Sequence, residues 1–201
     1  MAAGAVYVAR LRVHHDPATA KCRVCAGYAG EVHLDTYSHL FYGCGHHERL
    51  WRWARACLQC VCLETWHEGA FMLYGLQVLR HTVTGQELGG ERRTRTANAC
   101  RVASFVRAAL VEAFYSARMG VMAPEGKVKH PHATVSAAKA RLRRYVELDY
   151  YATTRETTTR VGKPSRVSAR PTTHDEFGQV WGRFVTVQAK HNLLFGRLAA
   201  P

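Results

Sequence analysis

The spacing of four metal-binding residues is the feature that most restricts how this 201-residue chain can fold. Cys22 and Cys25 form a Cys-x2-Cys pair, and His39 and Cys44 form a His-x4-Cys pair that follows after thirteen residues. Zinc takes four thiolate and imidazole ligands at tetrahedral corners, and a site filled entirely by protein ligands is structural. The pattern therefore predicts one closed zinc site made by Cys22, Cys25, His39 and Cys44.

The third ligand of this site has competitors in the sequence. His33, His46 and His47 all lie near His39, which we prefer because its spacing to Cys44 is short and fixed. If no metal binds, the cysteine pair is a set of free thiols and His39 is a surface residue. Four further histidines are expected to face solvent as polar side chains: His46, His47, His130 and His132.

A second group of cysteines follows at Cys57, Cys60 and Cys62. Residues 57 and 60 would share one face of a helix, and a fourth ligand would have to come from His67 or Cys100. Because cysteine is also common in the buried faces of helices, we favour core packing over a second metal site.

The charge balance of the chain is strongly basic. Lys and Arg number 28 against 15 Asp and Glu, which gives a net charge of +13 and a pI of about 9.8. Such an excess favours a polyanionic partner, because each neutralised phosphate releases condensed counterions. The charge rises most steeply between Lys127 and Arg170, where eleven Lys and Arg oppose three acids.

Arginine interleaved with tyrosine in this basic stretch suits phosphate neutralisation together with base stacking. The alternative is a solvated helix face followed by a flexible linker. A competing contact surface of arginines lies beside the predicted zinc site. The residues predicted to contact RNA or DNA are Arg141, Arg143, Arg144, Tyr145 and Tyr150 on the first surface, and Arg49 and Arg52 on the second.

Apolar periodicity indicates a mainly α fold, with an N-terminal zinc knuckle packed on a helix, several further helices and a small C-terminal β-hairpin. Helices are predicted over 48–66, 69–81, 100–118 and 134–152, with Gly120 ending the third and Thr134 or Ser136 capping the fourth. Residues 82–98 are predicted as a loop. A short helix precedes hairpin strands at 184–187 and 193–195. The segments expected are 1–81 (zinc module and following helices), 82–152 (basic helices), 153–173 (linker) and 174–201 (helix and hairpin).

The cellular setting follows from the cysteines and the apolar runs. Seven cysteines with a Cys-x2-Cys pair favour a reducing compartment over a disulfide scaffold. No run reaches the roughly 18 apolar residues of a membrane helix. We therefore expect an intracellular, nuclear protein that does not enter a membrane.

About forty residues around the Cys/His pattern resemble the zinc-binding region that follows the polymerase domain of non-LTR retrotransposon reverse transcriptases. The matching positions are Cys22 and Cys25, Asp35-Thr36, His39-Leu40-Phe41, Cys44 and Leu50-Trp51. The resemblance implies zinc as cofactor, RNA or DNA as partner, and a polymerase domain of the same element upstream.

Polymerase chemistry itself is not expected of these residues. It needs carboxylates that hold two metal ions, and no paired-aspartate motif occurs, since Asp149 is a single acid on a predicted helix. No Ser/His/Asp or Cys/His catalytic arrangement stands out either. The sequence thus predicts a non-catalytic, zinc-stabilised nucleic-acid-binding region, with a protein-interaction zinc module of incidental basic charge as the alternative.

Overall fold

Helices form most of the structure, a computed structural model that describes residues 21–30, 33–34, 36, 38–61, 71, 90–122, 130–155, 173–188 and 192–199. The helices are α1 (Arg23–Ala29), α2 (Glu48–Gln59), α3 (Gly90–Met122), α4 (Pro131–Arg155) and α5 (His174–Trp181). A π-helical turn (His39–Gly43) and a 3-10 turn (Gly45–His47) lie between α1 and α2. Strands β1 (Val185–Val187) and β2 (Leu193–Phe195) pair near the C-terminus. The predicted mainly α fold with a terminal hairpin is confirmed.

One hydrophobic core runs through α2, α3, α4, α5 and β1. In α2 the side chains of Leu50, Trp51, Ala54 and Leu58 recur at three- and four-residue steps, so they share the buried face. The 33 residues of α3 extend for about 50 Å, and its contact with α4 is the most extensive helix packing in the described residues. The core therefore includes residues from three of the four predicted segments.

A polar network crosses this core at Asp149 of α4. Its carboxylate accepts hydrogen bonds from Arg101 Nε at 2.8 Å and Nη2 at 2.5 Å, and from Trp181 Nε1 at 2.9 Å. These donors come from α3 and α5, so one buried acid connects three helices. A buried charge is tolerated when it is paired and fully hydrogen-bonded, as it is here.

The C-terminal unit forms as the sequence predicts. Thr173 caps α5, since its Oγ1 accepts the Glu176 N–H at 3.2 Å. In the antiparallel hairpin Val185 pairs with Phe195 and buries its side chain. The Trp53 indole of α2 donates to the Leu198 carbonyl at 2.8 Å, which fixes the chain end to the core.

Several helix limits differ from the predicted ones. Helix α3 begins at Gly90, inside the predicted loop. The prediction missed this start because the first turns of the helix are polar and carry no apolar periodicity. Gly120 does not end this helix, which continues to residue 122. Helix α4 begins at Pro131 rather than near Thr134, and proline at the first helical position was a usable signal.

The remaining differences concern segment ends. Helix α2 ends at Gln59, and Cys60 and Val61 form a turn. Helix α4 continues to Arg155, three residues into the predicted linker. Of the predicted helix 69–81 only Phe71 is described, and residues 156–172 of the predicted linker lie outside the described residues.

Candidate metal centre and nucleic-acid interface

The four predicted metal ligands meet in one buried cluster. The ligand atoms of Cys22, Cys25, His39 and Cys44 lie within 4.8 Å of one another. Cys25 Sγ is 3.2 Å from Cys44 Sγ and 3.2 Å from His39 Nε2. A zinc ion would place such ligands about 3.5–3.8 Å apart, given Zn–S near 2.3 Å and Zn–N near 2.0–2.1 Å. The four side chains could therefore hold a metal ion of this size.

The first ligand pair is positioned by the start and end of α1. Cys22 immediately precedes the helix and Cys25 lies in its first turn, which brings both sulfurs to one side. The Cys22 N–H donates to the His33 carbonyl at 2.8 Å, so the returning chain is held beside the helix start. Gly30 ends α1 with φ of 69°, in the left-handed region where glycine is favoured, and turns the chain back toward the cluster.

The second ligand pair is positioned by the π-helical turn. The His39 N–H donates to Thr36 Oγ1 at 3.0 Å, which caps the start of the turn. Cys44 follows in extended conformation and points its sulfur back to the cluster. A Cβ on Gly43 would lie 3.4 Å from His39 Nδ1, so the backbone of the turn lies directly beside the imidazole.

Hydrogen bonds and burial set different proton affinities at the three sulfurs. The pKa of Cys22 is lowered to about 4, chiefly by a hydrogen bond with the Cys44 thiol and further by the Cys25 backbone and His39. The pKa of Cys44 is raised because its thiol hydrogen-bonds to the Cys22 sulfur and is buried, and burial also raises the pKa of Cys25. Three thiolates this close repel one another, and a divalent cation among them would offset that repulsion.

The competing histidines do not join the cluster. The exposed His33 ring stacks on His39 with centroids 4.9 Å apart. His46 hydrogen-bonds to Thr134 Oγ1 of α4 at 3.4 Å. His47 Nδ1 donates to the Leu40 carbonyl at 3.0 Å.

The prediction that His46 and His47 face solvent is wrong, since both are buried. The His47 ring packs on Phe114 of α3, with centroids 4.5 Å apart. Burial lowers the pKa of His47 to about 3, and burial also lowers the pKa of His46. Both imidazoles are therefore neutral contacts between the metal-binding segment and the long helices. The sequence analysis missed the burial of His46 and His47 because it assigned them to the surface from their polarity and did not consider their position beside the cluster.

The second cysteine group belongs to α2 and its end. Cys57 lies in the hydrophobic core, where burial raises its pKa, and Cys60 borders the same core. Cys100 is half-buried on α3. Within the residues that the structure describes, these cysteines form no further group of three potential ligands. Cys62 and His67 lie outside them.

The predicted arginines on α4 differ in their surroundings. Arg141 Nε lies 2.7 Å from Glu112 Oε2, and Arg143 Nε lies 3.0 Å from Glu147 Oε1. Arg144 is exposed. All three remain on the surface, but two of them already face a carboxylate.

The prediction that Tyr145 and Tyr150 stack on bases needs correction, because the position of each residue around α4 decides whether its ring faces outward. Tyr150 is only 1% exposed and packs in the core, so it cannot offer a ring to a base, whereas Tyr151 is 60% exposed. Tyr145 is half-buried, donates to Glu112 at 2.6 Å and stacks on Phe105. The outward ring of this stretch is therefore Tyr151.

The arginines beside the cluster also differ from each other. Arg52 pairs with Glu48 at 3.8 Å on the surface of α2. Arg49 donates instead to His132 Nε2 at the start of α4, and His132 stacks on His130 with centroids 5.1 Å apart. Sequence reasoning placed Arg49 on this surface but had no means of bringing residues 49 and 132 together.

These observations define the chain as a mainly helical protein with a buried Cys3His group that could bind a metal. No protein-family model, curated protein or solved structure matches it. Among the described residues, no helix combines the length and apolar character that crossing a membrane requires.

Proposed function

We propose that this chain is a non-catalytic nucleic-acid-binding protein whose metal-binding segment is held by one structural zinc ion. The buried cluster of Cys22, Cys25, His39 and Cys44 carries the proposal. Thiolate and imidazole donors suit zinc, and four protein ligands leave no position for a reacting water. The ion would therefore stabilise a fold and would not activate a substrate.

The position of the cluster indicates what such an ion would stabilise. We call the described residues from Lys21 to His47 the Cys/His module, and α2 to α5 with the hairpin the helical core. The ligands come from the module alone, while His46 and His47 pack on α4 and α3. Zinc at the cluster would fix the segment that leads into α2, and with it the arginines on the first turns of that helix.

Charge supports nucleic acid as the partner. The chain has a net charge of +13, and Arg49, Arg52 and Arg144 are exposed on α2 and α4. Cationic surfaces of this kind neutralise phosphates with little regard to sequence. The resemblance to the retrotransposon zinc region supports the same choice, and a retroelement origin remains a prediction.

Zinc content and salt dependence test the proposal together. Purified protein should contain one zinc equivalent, and log affinity for a labelled single-stranded oligonucleotide should fall linearly with log salt. The chain should extend no primer on an RNA template, measured beside a buffer control. Metal-free protein, or no oligonucleotide binding at low salt, would overturn the respective part of the proposal.

A protein-interaction module is the second candidate, and exposed apolar side chains favour it. Leu148 and Tyr151 on α4 and Val187 and Leu194 on the hairpin all expose apolar surface. Leu148 and Tyr151 are three positions apart and share one face of α4, and exposed apolar groups that lie together can mark a protein contact. A complex that forms equally well at low and high salt would favour this candidate over phosphate binding.

A further inference from the structure

The outer side of the Cys/His module carries a lysine, an arginine and a leucine, which we call the module surface. Lys21 and Leu34 are opposite partners in an antiparallel bridge. Lys21 and Arg23 lie on either side of Cys22, and both are exposed. Leu34 is 60% exposed. We propose that Lys21, Arg23 and Leu34 bind single-stranded nucleic acid, an inference that rests on the proposed function.

The backbone places the side chains of Lys21 and Leu34 next to each other. The N–H of Cys22 donates to the carbonyl of His33 at 2.8 Å, one residue to the side of the bridge on both segments. In this pattern the two bridge partners are not hydrogen-bonded to each other, and their side chains leave the same face with Cβ atoms about 4.5–5.5 Å apart. An exposed ammonium group therefore lies beside an exposed aliphatic side chain.

Arg23 extends the module surface from the first position of α1. The side chain of Cys22 is buried in the metal cluster, whereas the residues before and after it are exposed. The backbone of Cys22 is extended, and two residues of extended chain span at most about 7 Å. Lys21 and Arg23 are therefore close enough to contact one short stretch of a strand.

The charges of the module surface favour an anionic ligand. Among the described residues, neither Lys21 nor Arg23 forms an ion pair. Cations on α2 differ, since Arg52 and Arg55 both lie within 4.0 Å of the Glu48 carboxylate. Two unpaired cations on one short segment repel each other, and phosphates bound to them would offset this repulsion and release counterions.

Leu34 favours a single strand over a duplex. Bases in a single strand can be turned out of their stack, and each then offers an apolar face to the protein. A base placed on Leu34 would remove apolar area from water, which stabilises the complex. A duplex keeps its bases stacked and would meet this surface mainly through its phosphates. The leucine beside two cations thus suits a ligand that has both phosphates and accessible bases.

The metal ligands hold both parts of the module surface in place. Lys21 and Arg23 are the sequence neighbours of Cys22, while Leu34 lies five residues before His39. Cys22 and His39 belong to the same cluster, so a metal bound there would fix the two segments relative to each other. Removal of the metal should therefore separate the leucine from the cations and weaken the contact with nucleic acid.

Fluorescence anisotropy with a labelled single-stranded DNA 20-mer tests the assignment over a salt series. Lys21→Gln and Arg23→Gln should each weaken binding up to about fivefold and reduce the slope of log affinity against log salt by about 0.7. Leu34→Ser should weaken binding about threefold without a change of slope, because it removes no charge. With a hairpin duplex as the probe, Leu34→Ser should bind as wild type does.

Two matched controls lie outside the module. Arg183 is an exposed cation after α5, and Leu194 of the hairpin is 56% exposed. Arg183→Gln and Leu194→Ser should each change the affinity by less than about twofold. Every variant should retain one zinc equivalent, since all of the changed side chains are exposed. After chelation of the metal, wild type and Lys21→Gln should bind the 20-mer equally.

The outcomes separate this assignment from the proposed function. If the wild-type protein binds no oligonucleotide, the proposed function fails and the assignment fails with it. If wild type binds and both Lys21→Gln and Arg23→Gln match it in affinity and slope, the assignment alone is overturned. An equal loss in Arg183→Gln would attribute the effect to net charge and would also overturn it. An equal loss for Leu34→Ser on the duplex would overturn the preference for a single strand. If Lys21→Gln still weakens binding to the same extent after chelation, the dependence on the metal is overturned.

Discussion

The Cys/His module and the helical core are stabilised in different ways. Besides the ligand sulfurs, the buried hydrophobic residues described in the module are Val24 and Leu40. The helical core buries large side chains such as Trp51, Phe114 and Trp181. Burial of apolar area is the dominant favourable term in folding, so the core can hold itself together while the module lacks enough apolar surface to do so. The difference shows why a metal would matter to one region and not to the other.

Aromatic groups make several of the contacts between the two regions. The Phe41 ring of the module lies edge-on to Phe114 of α3, with centroids 5.6 Å apart. The Trp51 indole of α2 donates to the Phe41 carbonyl at 2.5 Å. The module therefore rests on a helical core that packs without it. We expect the module to unfold before the helical core does.

The largest effect is expected from removing a metal ligand. Cys25→Ser or Cys44→Ser should abolish zinc binding, because structural sites contribute about 10–16 kcal/mol of apparent binding free energy through all four ligands. Circular dichroism should retain most of the helical signal, since α2 to α5 do not depend on the ligands. Zinc is measured by metal analysis.

Cys57→Ala is the matched control for the metal-ligand variants, because Cys57 is a buried cysteine of the core outside the cluster. It should keep one zinc equivalent while losing some stability. Complete loss of helicity on chelation of wild-type protein would show that the two regions unfold as one, which would contradict the comparison.

The next largest effect is expected in the helical core, at Asp149. Asp149→Ala would leave the Arg101 guanidinium buried without its partner, since the two side chains are only 12% and 5% exposed. Removing one partner of a buried pair costs about 3–5 kcal/mol in the free energy of unfolding. Urea denaturation measures the loss, and zinc stoichiometry should stay at one.

Glu147→Ala provides the comparison on the same helix. Glu147 pairs with Arg143 on the surface, where an ion pair is worth at most about 1 kcal/mol. Equal losses for Asp149→Ala and Glu147→Ala would mean that the Arg101 pair is no more important than a surface contact. A zinc loss in Asp149→Ala would show that the core controls the module.

A smaller, pH-dependent effect is expected where the two regions meet, at His47. Burial lowers the pKa of His47 to about 3, so the unfolded chain takes up the proton first as the pH falls below about 6.5. The stability contribution of neutral His47 is thus complete above this pH and decreases as the pH drops. From pH 7.5 to 5.5, wild type should lose about 1.4 kcal/mol more than His47→Gln. Urea unfolding at both pH values measures the difference, and equal losses would contradict it.

The metal cluster could be predicted from the sequence because its chemistry is local. Cys22 and Cys25 are one helical turn apart, and the spacing of His39 to Cys44 fits a single turn of chain. The cap that Thr36 provides belongs to the same short segment. Ligand identity thus depends on residue type and short spacing, both of which the sequence displays.

The surface of α4 was harder to predict, because neighbouring helical residues lie about 100° apart and an error of one position exchanges inside for outside. Leu142, Val146 and Tyr150 recur at four-residue steps and are all buried. That stripe was a usable signal that Tyr151, rather than Tyr150, faces outward. The contact of Arg49 with His132 left no such signal, because it depends on how α2 packs on α4.

The smallest effect compares two threonine caps, one in each region. Thr36 Oγ1 accepts the His39 N–H in the Cys/His module, and Thr173 Oγ1 accepts the Glu176 N–H at the start of α5. Replacing such a cap by alanine costs about 1 kcal/mol. In Thr36→Ala the lost free energy should weaken the positioning of His39, the zinc ligand whose N–H the cap accepts. Zinc affinity measured by chelator competition should therefore drop about fivefold. In Thr173→Ala it should appear as a lower thermal midpoint with zinc affinity unchanged. Serine at either position keeps the hydroxyl and should restore the wild-type value. Either of two outcomes would contradict this comparison: a change of zinc affinity in Thr173→Ala, or no change of zinc affinity in Thr36→Ala. The two regions would then share their stability, and the effect of the metal would extend beyond the module.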